Sequence, residues 1–122
     1  MIGKIVTGKS FGGAVEYVLR KEKARLLDSD GVDTESIRSI IDGFNFQRKA
    51  RREIAKVVGH ISLSFHRDDA PTLTDDRMRE LAAAYMVCMG IADTQYIVAR
   101  HNDTEHPHLH IIYNRVKYDR TL

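Results

Sequence analysis

Cysteine is almost missing from this chain. A single residue, Cys88, in 122 excludes an internal disulfide framework, and the expectation is a reducing compartment with Cys88 as a small core side chain of "LAAAYMVCMG". No stretch approaches the roughly 20 apolar residues of a membrane span, and "MIGKIVTGKS" lacks the apolar run of a secretory signal. A cytoplasmic protein with no membrane partner is therefore expected. Proline occurs only twice, and there is no internal repeat, linker or low-complexity segment, so the length reads as one domain. Excess charge is also lacking: a net +2 is too small to argue for nucleic acid by itself. The distribution says more, because "FQRKARREIAK" holds five of the 19 basic residues.

What is present is a core and a pattern. Apolar residues make up 43% and charged residues 30%, the balance of a globular domain. "GKIVTG" alternates like a strand, and "SFGGAVEYVLRKEK" then takes helical spacing with Phe11, Ala14, Val15, Val18 and Leu19 on one face. "RLLDSDGVD" reads as a short strand or turn. "TESIRSIIDGFNFQRKARREIAK" is helical, striped by Ile37, Ile40, Ile41 and Phe44, with Gly43 a candidate break or kink. "VVGHISLSF" is a strand, and "HRDDAPTL" leads to a helix over about residues 74–89. Thr74 caps that helix, Asp75 and Asp76 occupy its first turn, Met78, Leu81, Tyr85 and Met89 form its face, and Gly90 stops it. "TQYIVARH", "NDTEHP" and "HLHIIYNRVKY" read as strand, turn and strand, a hairpin with histidines at its mouth. The expected class is α+β, a mainly antiparallel sheet with helices on one face.

"GKIVTGKS", Gly3 to Ser10, matches the phosphate-loop pattern G-x-x-x-x-G-K-[ST] letter for letter. That loop should follow a strand, whereas "KIVT" is itself strand-like, so the pattern is set aside. Lys9 and Ser10 can still meet a phosphate at the mouth of the first helix.

Four of the six histidines fall between His101 and His110. Residues two apart in a strand share a face, so His108 and His110 project together, roughly 6 to 7 Å apart at the backbone. His101, at the end of the neighbouring strand, would be about 5 Å away and can supply a third imidazole to a divalent metal. Asp103 or His106 can replace a ligand or hold one in the right tautomer. Solvated hairpin histidines remain an alternative, disfavoured because alternate His on an apolar strand is costly to bury without partners. "HPHLHII" also fits the His-x-His-x-His pattern of histidine-triad nucleotide hydrolases, in which the middle histidine attacks a phosphate and no metal is needed. No serine or cysteine stands beside a base at a recognisable spacing. Among tyrosines, Tyr17 lies roughly 130° from the centre of its helix's apolar face and should leave the core. Tyr85 and Tyr96 look like core or sheet residues, and Tyr113 alternates away from the histidines.

These features, in this order, resemble the relaxase, or mobilisation nuclease, family of HUH endonucleases. The early helix tyrosine in "AVEYVLRK", the strand "GHISLSF" and the helix after it agree. "RHNDTEHPHLHIIYN" fits the signature H-x-D-x-x-H-x-H-x-H-x-x-x-N at His101, Asp103, His106, His108, His110 and Asn114. The resemblance implies a ferredoxin-like palm with the His pair on a central strand, a Mg²⁺ or Mn²⁺ ion held by His101, His108 and His110, and Tyr17 as nucleophile. It implies nicking of single-stranded DNA at a transfer origin by transesterification, with accessory mobilisation proteins and a coupling protein as partners. Phenols lose their proton only near pH 10, so Asp103 or His106 is expected to assist. Basic residues Lys9, Arg48, Lys49, Arg51 and Arg52, with Ser62, Ser64 and Asn114, are the expected DNA contacts. His60 belongs to the same "H-x-x-L-S-F" strand as Ser62 and Ser64, with its role open. The chain stops at Leu122, whereas domains of the resembled family continue, so residues 1–122 are expected to be a domain truncated at its C-terminus. A replication initiator or transposase of the HUH group, or a binder that leaves DNA intact, are further alternatives.

Overall fold

The computed structural model describes residues 2–21, 24–102 and 106–122. Its elements are β1 (Ile2–Gly8), α1 (Phe11–Leu19), β2 (Ala24–Asp30), α2 (Ile37–Arg48), β3 (Val58–Ser64), α3 (Asp75–Cys88), β4 (Tyr96–His101) and β5 (His108–Asn114), with short 3₁₀ turns at Lys49–Arg51 and Arg67–Thr72. The strands form one antiparallel sheet in the order β1-β3-β5-β4-β2. β5, the histidine strand, is therefore central, as expected of a ferredoxin-like α+β palm.

Side-chain oxygens define where the helices start. Ser10 accepts from the Gly13 amide, Ser36 and Ser39 form a reciprocal capping box, and Thr74 accepts from the Arg77 amide. Gly90, at φ +71°, ends α3. Gly43 does not break α2: a Cβ there would come 3.2 Å from the Val32 side chain, and its carbonyl accepts from Gln95 Nε2 at 2.9 Å. α2 stops at Arg48 and tightens into the 3₁₀ turn, so the basic segment is not the continuous helix expected through Lys56.

The helices cover both faces of the sheet, not one. Phe11, Val15 and Val18 of α1 and Ile40, Ile41 and Phe44 of α2 pack with Val58, Ile97, Ala99 and Ile112. Met78, Ala82 and Met86 of α3 pack on the other side with Ile61, Leu63, Val98, Leu109, Ile111 and Tyr113. The odd–even alternation of β5 divides these two sets, and it puts His108 and His110 on the α1 side. Tyr113 lies away from the histidines, as expected, and packs with the residues of α3. Gly59 lies opposite it, where a Cβ would sit 2.1 Å from the ring, so glycine is what lets the ring lie flat across β3.

The face of α3 is rotated from the expected stripe. Ala82 and Met86 are buried and Met89 is 46% exposed, because the small Ala82 lets the helix approach the sheet along the 78–82–86 line. Cys88 is exposed, not in the core. Gly3 to Gly8 pair along β3 in an extended ladder, which removes the phosphate-loop reading. Among the described residues, no helix is long and apolar enough to cross a membrane.

Candidate metal and nucleophile site

The face of the sheet under α1 and α2 is apolar at one end and imidazole at the other. In the register of the ladders His101 pairs with His108, His110 lies between Ala99 and Ser62, and Ser64 is opposite His108. α1 reaches only part of the way along this face, ending at Leu19, and the histidines occupy the strand ends beyond Ile112 and Ala99.

Three of them converge. One ring nitrogen from each of His101, His108 and His110 lies within 4.8 Å of the others, a spacing that three ligands of one ion require. His101 is 1% exposed and His110 7% exposed, while His108 is half-buried at the rim. The remaining nitrogens are held by the chain. His101 Nε2 donates to the Val18 carbonyl at 2.7 Å, and His108 Nδ1 donates to the His106 carbonyl at 3.0 Å. A carbonyl only accepts, so the neutral rings carry their lone pairs on His101 Nδ1 and His108 Nε2. His110 Nδ1 lies 2.7 Å from Nε2 of His60. Neutral imidazoles oriented through their second nitrogen are the donor set of a divalent metal site.

Electrostatics keep His110 neutral. Burial first, then the fields of His101, His60, His108 and Lys21, hold its pKa down to about 3. Burial and His101 also lower that of His60.

Tyr17 stands at the open side of this cluster. It is 55% exposed, as its angular position on α1 requires, and its ring meets His60 edge-on at 6.0 Å and His110 at 6.2 Å between centroids. Lys21, one turn further on, places Nζ 5.0 Å from the Tyr17 ring centroid.

A family model for the MobA/VirD2-like relaxase nuclease domain matches residues 17–122. The chain belongs to that relaxase family. No curated protein sequence matches it significantly. Membership implies a nicking enzyme with DNA as its substrate during mobilisation, and the histidine triad of the relaxase domain sits within the matched span.

The relaxase domain brings some of the expected residues together and separates others. Tyr17, His101, His108, His110, Ser62 and Ser64 share one end of one face. His106 lies before β5, exposed, with its ring edge-on to His66 at 6.2 Å, so the three histidines of "HPHLH" do not share a strand. Asp103 lies outside the described residues.

Asn114 is corrected. It is wholly buried at the far end of β5, donating to Phe44 O and Gln95 Oε1 and accepting from the Val116 amide, so it fastens α2 to the sheet and has no surface to offer DNA. Arg48 donates to the carbonyls of Lys9 and Ala55, and Arg51 to Glu53 and the Arg120 carbonyl. Both guanidiniums thus pin other segments of the chain as well as carrying charge, while Lys49 and Arg52 are exposed. This basic end lies beside Lys9, at the opposite end of α1 from Tyr17.

Two site neighbours carry no role in the sequence reading. Lys21 was findable, since the i, i+4 spacing from Tyr17 puts it on the same helical flank. The His60 contact with His110 joins residues 50 apart in sequence and depends on the β3–β5 register.

Proposed function

We propose that this relaxase domain nicks single-stranded DNA at a transfer origin by transesterification, with Tyr17 as nucleophile and His101, His108 and His110 as ligands of Mg²⁺ or Mn²⁺. The observation that carries the reading is the edge-on packing of an exposed tyrosine against His110, a member of a buried imidazole triad. A bound divalent ion would neutralise and orient the scissile phosphate.

The chain's own groups do the rest. Tyr17 Oη forms a bond to phosphorus as the bond to the 3′ oxygen breaks, leaving a 5′-phosphotyrosyl link and a 3′ hydroxyl that takes up a proton. Because the phosphodiester is exchanged and not hydrolysed, the nick can be rejoined. The Lys21 ammonium, 5.0 Å from the ring, favours the developing phenolate, and Asp103 is the proposed acceptor of the phenolic proton, since His106 turns its ring to His66 instead. Ser62 and Ser64, on the strand beside the triad, are the proposed hydrogen-bond partners of the DNA backbone, and the exposed Lys49 and Arg52 the proposed partners of phosphates further along the strand.

The test is to incubate the protein with Mn²⁺ and labelled single-stranded DNA tiled from the neighbourhood of its gene, and to look for a denaturant-resistant adduct. The adduct should vanish with chelator and with Tyr17→Phe. Its persistence in Tyr17→Phe would remove Tyr17 from the role, and its persistence in chelator would remove the metal.

A further inference from the structure

We infer that His60 is a positioning residue that fixes the proton of His110, so that His110 presents Nε2 to the metal ion. The inference rests on the metal reading above. Nε2 of His60 and Nδ1 of His110 lie 2.7 Å apart, a distance at which two ring nitrogens must share one hydrogen. Were that hydrogen on His60, His110 would spend its lone pair on the contact and turn an N–H toward the other two histidines. Ligation by His110 therefore requires the hydrogen on its own Nδ1, which makes His60 the acceptor and puts the His60 hydrogen on Nδ1.

The neighbours support this assignment. Carbonyl acceptors already orient His101 and His108 through the nitrogen that points away from the cluster, and His110 has no carbonyl in that place. Ser62 Oγ, at 3.5 Å from His110 Nδ1, is too distant to replace His60. His60 reaches across from β3, diagonal to His110 in the ladder, and its ring is also the nearer of the two that Tyr17 packs against. One imidazole thus holds His110 in register for the metal.

The experiment is calorimetric titration of Mn²⁺ into the wild-type chain, His60→Ala, His60→Gln and His110→Ala. Loss of an outer partner of this kind costs about 10- to 100-fold in metal affinity, so His60→Ala should weaken binding by that factor. His60→Gln, whose side-chain carbonyl can accept the same hydrogen, should stay near wild type. At saturating Mn²⁺, His60→Ala should regain adduct formation, as expected for a residue that acts through His110. Wild-type affinity in His60→Ala, or an equal loss in the Ala and Gln variants, would overturn the inference.

Should the alanine variant fail to fold, the wild-type protein decides the matter through imidazole nitrogen NMR with Mg²⁺. Hydrogens on Nδ1 of both His60 and His110 are expected, and a hydrogen on His60 Nε2 would overturn it. Undiminished Mn²⁺ binding in His110→Ala would instead sink the metal reading itself, which separates the two failures.

Discussion

His101 Nε2 donates to the carbonyl oxygen of Val18 across 2.7 Å, and Val18 is the residue after Tyr17 on α1. One hydrogen bond therefore joins a triad member on β4 to the helix that carries the proposed nucleophile. It occupies a carbonyl in the last turn of α1, where such groups lack helical partners, and so ties that end of the helix to the sheet.

His101→Ala should on this account damage two things together. Removing the ring leaves the Val18 carbonyl and a cavity buried, at a cost of about 1–3 kcal/mol, and it removes a proposed metal ligand. His108→Ala, at the half-buried rim, should remove a proposed ligand with a smaller loss of stability. Urea unfolding and Mn²⁺ titration of both variants check this, and a His101→Ala protein as stable as wild type would show that the bond does not hold α1.

The metal-free protein should weaken as pH falls. His110 has a folded pKa near 3 against an ordinary value of 6.5, so between these values the unfolded chain binds the proton more readily than the folded one. The neutral ring's contribution is whole above pH 6.5 and is lost progressively down to about 3. His60, lowered for the same reason, acts in the same direction. Urea midpoints measured from neutral to acid pH should fall more steeply in wild type than in His110→Gln, which keeps a polar side chain but does not titrate. Parallel curves would contradict the assignment.

Much of the site was legible before the fold, and the reasons are local. Period-two spacing is enough to put His108 and His110 on one side of a strand, and a hairpin turn is enough to bring His101 beside them. The angle of Tyr17 on its helix follows from Phe11, Val15 and Val18 alone. What was hidden depends on which elements meet. Periodicity shows which side of α3 is apolar but not which side of the sheet receives it, so the helices on both faces could not be read. The burial of Asn114 is set by Phe44 and Gln95, and one duty of Arg48 by the carbonyl of Lys9, all distant in sequence.

Asn114→Ala should therefore be a stability variant. Three of the chain's own groups lose a partner, at a cost of about 1–3 kcal/mol for the buried site. Adduct formation per folded molecule and affinity for single-stranded DNA should not change. A fall in DNA affinity at full folding, measured by fluorescence anisotropy, would return Asn114 to the interface.

The basic segment should divide in the same way. Arg52 is exposed with its guanidinium on the surface, so Arg52→Glu should weaken single-stranded DNA binding and lower the magnitude of the salt slope by about one, the signature of a lost phosphate contact. Arg48→Glu removes the donors to Lys9 O and Ala55 O and places a carboxylate against two carbonyls, so its first effect should be on the melting temperature. Salt-dependent binding and thermal unfolding of the two variants separate these duties. An unchanged slope in Arg52→Glu would make this end of α2 a solvated face, and the DNA path would then have to run along the Ser62 and Ser64 edge of the triad alone.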